Sequence, residues 1–147
     1  MGRRRQADVK FVFVDSSVFF TATDSPTGGS AKLFTYKNIK LVVSPLILTE
    51  TERNVRKKLQ PYHLERFFRL VEMVQILNQD LDPNLIKKAQ KVIEEKDAPI
   101  LASAKLSRCD FLVTLDKKDF LVEKVAKFLK PKIALAPKDL IELLNRK

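Results

Sequence analysis

One cysteine, one histidine and three glycines occur in 147 residues, and each shortage removes a class of protein. Cys109 alone cannot form an internal disulfide, so the chain is not a disulfide-stapled scaffold. No Cys/His cluster of zinc spacing exists around His63, the only histidine. Two of the three glycines, Gly28 and Gly29, fall in a surface loop at residues 24–30. That loop lacks the Lys-Ser/Thr ending of a phosphate-binding loop. The apolar run at residues 41–48 is interrupted by Ser44 and Pro45, far short of the roughly 20 apolar residues a bilayer requires. The basic start at residues 1–5 leads only to a short apolar run ended by Asp15, which is no export signal. A reduced, cytoplasmic protein with no membrane association is the expectation.

A content of 45% hydrophobic and 31% charged residues suits one globular domain with a sizeable core. Residues 1–9 read as a flexible basic segment and residues 10–147 as a single domain, with no internal repeat and no linker. Lys and Arg number 28 against 18 Asp and Glu, a net charge of +10 that points to a polyanion, with nucleic acid the first partner to consider.

Short apolar, β-rich runs alternate with helical spacing along the chain. Strands are expected at residues 10–14, 41–43, 111–115 and 132–136. Ser44-Pro45 supplies an N-cap and a first helical residue for a helix reaching about Leu59. Residues 63–78 carry Leu64, Phe67, Phe68, Val71, Val74 and Ile76 at mainly three- and four-residue spacing and read as one amphipathic helix. Further helices are expected from Asp82-Pro83, at residues 100–106, 119–129 and 138–144. The strands are near-continuous apolar runs without polar alternation, which predicts a mostly parallel sheet covered on both faces.

In such sheets ligands bind beyond the carboxyl ends of the strands. Asp15 follows the first strand and Asp116 follows residues 111–115, so both belong to one rim. Asp97 precedes the helix leading into the second of these strands, and Glu50 lies within the Ser44-Pro45 helix, which also opens on that rim. Each acid has an ordinary alternative: Asp15, Asp97 and Asp116 as helix caps, Glu50 as part of a solvated charged face. Together they are stronger evidence. Two like charges about 4 Å apart repel by ~4 kcal/mol at an effective dielectric of 20, so four gathered carboxylates call for a proton or a cation. Oxygen-only donors suit Mg²⁺ or Mn²⁺. Such an ion supports phosphodiester hydrolysis, with the basic residues left to hold the phosphate backbone.

Four segments resemble the PIN-domain family of metal-dependent ribonucleases, which includes VapC-like toxins: "FVFVDSSVFF", "VVSPLILTETERNV", "DAPILASA" and "CDFLVTLDKKDF". The resemblance runs from about Lys10 to Leu144. It implies an α/β fold, a three-layer α/β/α sandwich on a mostly parallel five-stranded sheet, and a Mg²⁺ (or Mn²⁺) site that cleaves RNA. Asp15, Glu50, Asp97 and Asp116 match the four acids of that site, as metal ligands and catalytic residues. Asp119 matches a more variable fifth acid, Thr114 a frequent hydroxyl position, and Ser17 a similar position after the first strand. Glu52 rivals Glu50, but two residues rotate a helical side chain by about 200°, so only one faces the pocket. The family pattern favours Glu50.

Asn54, one turn on, is placed to orient Glu50 or a water, or is a plain surface amide. Asp110 belongs to the opposite rim, Glu94 and Glu95 read as solvated charges, Cys109 as packing and His63 as a cap or surface residue. The resemblance further implies RNA as substrate, a homodimer, and, if the chain is the toxin of a type II pair, a cognate antitoxin. An inactive RNA-binding scaffold is the alternative. A phospho-receiver fits less well, because "VDSS" and "VVSP" supply neither its paired acid nor its central aspartate.

Overall fold

The computed structural model describes residues 9–146, so residues 1–8 of the expected basic N-terminal segment lie outside the described residues. The chain runs β1 (Lys10–Val14), α1 (Ser16–Asp24), α2 (Gly29–Leu33), β2 (Ile39–Val43), α3 (Pro45–Lys58), α4 (Tyr62–Val71), β3 (Gln75–Ile76) and α5 (Pro83–Gln90). A 3₁₀ turn (Glu95–Asp97), α6 (Ala98–Leu106), β4 (Phe111–Val113), α7 (Glu123–Leu129), β5 (Ile133–Leu135) and α8 (Pro137–Asn145) follow. The five strands form one sheet in the order β3-β2-β1-β4-β5, with every pairing parallel.

The apolar runs explain that arrangement. Val12, Phe13 and Val14 of β1 and Leu112 and Val113 of β4 are almost wholly buried, as strands covered on both faces must be. Helices α1–α4 pack among themselves, with α8 against α2, while α5 and α7 pack on α6. These are the outer layers of a three-layer α/β/α sandwich. Phe19 of α1 meets Phe34 edge-on at 5.5 Å and Phe67 of α4 at 5.5 Å, and so ties one helical layer together.

Three elements differ from the sequence expectation. Residues 63–78 are not one helix: α4 stops at Val71, and Met73 and Val74 turn back to Leu70 and Val71 through i→i+3 bonds. Gln75 and Ile76 then pair with Val42 and Val43, and Leu77 donates to the Val43 carbonyl at 2.9 Å. The open edge of β2 satisfies this backbone in place of a further helical turn. A helix expected at 119–129 begins only at Glu123, because Asp119 N–H donates to Asp116 Oδ1 at 2.9 Å and closes a separate turn first. The loop at 24–30 gives way to α2 at Gly29, following Gly28 with φ 95°, a left-handed conformation that favours glycine.

Candidate metal and nuclease site

Strand order reverses between β1 and β4: the chain moves outward through β2 and β3, then returns to the other side of β1. Loops diverge from such a point, leaving a crevice beyond the strand ends. Asp15 and Thr114 stand there, each one residue past its strand. The two strands stay joined at the rim, where Asp15 N–H donates to the Val113 carbonyl at 3.0 Å.

Asp15 is the N-cap residue of α1, but its side chain makes no capping bond. Its Oδ2 instead accepts from Thr114 Oγ1 at 2.8 Å and from Ser17 Oγ at 2.9 Å. Thr114 Oγ1 in turn accepts from Asp116 N–H, and Ser17 Oγ from Leu115 N–H, both at 3.0 Å. Two hydroxyls therefore lock the acid after β1 to the backbone after β4. The carboxylate is only 4% exposed. Burial pushes its pKa above the ordinary 3.8; the hydrogen bonds from Thr114 and Ser17 oppose that shift, and the charge of Asp116 adds to it.

Asp97 ends the 3₁₀ turn and immediately precedes α6, and it too forms no side-chain cap. Burial pushes it up to about 6; Lys96 pulls it down, while Asp15, Asp116 and Asp119 push it further up. Asp15, Asp97 and Asp116 line one cleft of about 260 Å³ together with Ser16, Ser17, Phe20, Asn54, Lys58 and Phe120. Asp119 stands beside it. Its carboxylate, that of Asp97 and that of Glu94 have oxygens within 4.8 Å of one another.

The expected residues are thus gathered unequally. Asp15, Ser17, Asn54, Asp97 and Asp116 share the cleft, with Thr114 bonded to Asp15 and Asp119 beside Asp97. Glu50 is half-buried on α3, one turn before Asn54 and on the same helical face, and is not among the residues lining the cleft. Its rival Glu52 is engaged elsewhere, in an ion pair with Arg56 at 2.9 Å. Asp116 does not cap α7, whose N-cap is Val122; its Oδ1 accepts from Asp119 N–H and closes the turn before that helix.

Glu94, read from the sequence as a solvated charge, is exposed but also stands within 4.8 Å of the Asp97 and Asp119 carboxylates. Its three-residue separation from Asp97, one turn of a 3₁₀ helix, was the available signal. Lys58 and Phe20 were also missed, for nothing local marks α1 and the end of α3 as neighbours.

The other singled-out residues lie away from this rim. Asp110 Oδ2 accepts from Phe11 N–H at 2.9 Å, bracing β1 at its opposite end. Cys109 is buried, and its thiol is pushed up to about 11, chiefly by that burial. His63 Nδ1 bonds to the Gln60 backbone, and its ring stacks on Tyr62 at 4.3 Å. Larger clefts of about 540 and 760 Å³ are lined by one carboxylate each, Glu72 and Asp110.

The fold and this cleft define a parallel α/β protein with an oxygen-donor acidic site at its switch point. The chain belongs to the PIN domain family, which its sequence matches over residues 12–127; PIN domains are generally nucleases. The fold is similar to that of PAE2754 from Pyrobaculum aerophilum, with a TM-score of 0.60 and 16% identity over 94% of this chain and 98% of that one. It is also similar to VapC20 from Mycobacterium tuberculosis, a sarcin-ricin loop cleaving toxin, with a TM-score of 0.54 and 18% identity over 73% of this chain and 91% of that one. No curated protein matches the chain.

Proposed function

We propose that the chain is a Mg²⁺- or Mn²⁺-dependent endoribonuclease that hydrolyses RNA phosphodiester bonds at the cleft of Asp15, Asp97 and Asp116, with Glu50 a fourth acid and Asp119 an auxiliary one. The observation that carries this reading is the convergence of three carboxylates from three separate segments on one cleft at the switch point. Burial and mutual repulsion already hold Asp97 near 6, a cost that a bound cation removes. The donors are all hard oxygens, so they fit Mg²⁺ or Mn²⁺ and not a thiolate-seeking metal.

Asp15, Asp97 and Asp116 would hold the ion, which supplies Lewis-acid polarisation of a phosphoryl oxygen and a more acidic water. The rest falls to this chain's own groups. Thr114 and Ser17 donate to Asp15 Oδ2, fixing its direction and favouring its ionised form against the burial that opposes it. The bond from Asp116 N–H to Thr114 ties the second acid to the first. Asn54 contributes an amide from the α3 side, and Glu50 stands one turn before it on the same helical face. Water orientation is their role in this reading.

The likeness to a VapC toxin supports a narrower form: the toxin of a type II pair, acting in the cytoplasm as a homodimer with a cognate antitoxin. Phe68, Met73 and Ile76, exposed on and after α4, offer apolar surface for such protein contacts. The domain reading of 10–147 as one nuclease unit is part of the same proposal.

RNA cleavage with Mg²⁺ or Mn²⁺, abolished by chelation and restored by adding the ion back, is the expected result. Tight RNA binding with no cleavage under any divalent ion would instead make the chain a scaffold.

A further inference from the structure

Two clefts meet at the carboxylate cluster. Lys58 lines the first, that of Asp15, Asp97 and Asp116, with its ammonium 6.0 Å from the centre of the Phe20 ring. The second, of about 710 Å³, is lined by the acids Glu94, Asp119 and Glu123 and by three lysines, Lys91, Lys118 and Lys124. The two are joined through the acids themselves: Asp97 lines the first, Glu94 and Asp119 line the second, and the three carboxylates lie within 4.8 Å of one another.

We infer that this is a single-stranded RNA track crossing the acidic site. In it, Lys58 holds a backbone phosphate on one side of the bond to be cut, and Lys91, Lys118 and Lys124 hold the phosphates on the other. The inference rests on the nuclease reading above and names the path of its substrate. Phosphates need cations to neutralise them, and a strand crossing these acids needs them on both sides. These four lysines line the two clefts, and among the described residues none forms an ion pair. Phe20, half-buried at the lip, gives Lys58 an apolar rest and presents a ring face on which a base can stack.

The test is binding of a fluorescein-labelled single-stranded RNA oligonucleotide as a function of salt, in Ca²⁺ buffer, by anisotropy. Lys58→Met is expected to lower the slope of log K against log salt by about 0.7, the value of one single-strand phosphate contact, and K91M/K118M/K124M by about three times that. Lys58→Arg should keep the wild-type slope. K32M/K37M/K40M, which removes the same charge from exposed positions around α2 and β2, should change it much less. Wild-type slopes in both track variants, or an equal fall in the control, would overturn the track. Cleavage of the same RNA in Mg²⁺ separates the two claims. Altered slopes without wild-type cleavage keep the track and reject the nuclease; cleavage with unaltered slopes does the reverse.

Discussion

Thr114 and Asp15, 99 residues apart in the chain, are joined by a 2.8 Å hydrogen bond from a fully buried hydroxyl to an almost fully buried carboxylate. The same hydroxyl accepts from Asp116 N–H. One threonine thereby sets the spacing between the acid after β1 and the acid after β4.

Thr114→Val keeps the shape and removes the hydroxyl. Asp15 then loses one of its two hydroxyl donors and Asp116 N–H loses its acceptor, so a loss of about 1–3 kcal/mol of stability is expected in urea denaturation. Cleavage should fall with it, and Thr114→Ser should restore most of both. Unchanged stability in the valine variant would show that the hydroxyl bridge contributes nothing.

The acids predict an unusual pH dependence in chelator. Asp97 holds its proton up to about 6 when folded, against 3.8 as the ordinary value. The stability this contributes is complete below 3.8 and is lost as pH rises through about 6, since the unfolded chain releases its proton first. Asp15, shifted in the same direction, acts in the same sense. Thermal unfolding in EDTA should therefore show Tm falling across that window, less so in Asp97→Asn. Mg²⁺ or Mn²⁺ should raise Tm more near pH 7 than near pH 5, because protons compete for the same oxygens. A metal response independent of pH would speak against carboxylate ligation.

Glu50 and Glu52 separate cleanly by substitution. Glu52→Gln breaks an exposed i,i+4 pair with Arg56, worth roughly 0.3–0.5 kcal/mol, and should leave cleavage within a factor of two or so. Glu50→Gln should lower cleavage by about tenfold or more, equivalent to ~1.4 kcal/mol. Equal rates for the two variants would remove Glu50 from the site.

Cys109 should stay inert. Burial and a thiol near 11 leave almost no thiolate at neutral pH, so iodoacetamide should label it only on unfolding. Rapid labelling of the native protein would contradict this placement.

How far these features were legible depended on whether their cause was local. β1 and β4 are apolar runs ended by Asp15 and Thr114, and burial on both faces leaves that pattern in the residues themselves. β3 leaves no such trace: two residues join the edge of β2, and Val74 and Ile76 sit at spacings a helix would also use. The late start of α7 depends on one side-chain bond, Asp119 N–H to Asp116, which no periodicity shows. At the site, Asp15, Asp97 and Asp116 could be named because strand ends and a helix start define one rim. Glu94 lies one 3₁₀ turn before Asp97, a spacing the sequence does show, whereas Lys58 joins them only through the packing of separate elements, where sequence spacing carries no signal.

Cleavage of one RNA by wild type, Asp15→Asn and Asp116→Asn, followed across a Mg²⁺ titration with thermal unfolding of each protein in parallel, bears most directly on the acidic cleft as a metal-dependent nuclease site. Wild type should cleave with a saturable Mg²⁺ requirement. Both variants should remain folded, cleave at least about 100-fold more slowly, a loss of ~2.7 kcal/mol of transition-state stabilisation, and lose the Mg²⁺-induced rise in Tm. Wild-type rates and an intact Mg²⁺ response in the two folded variants would contradict the assignment outright.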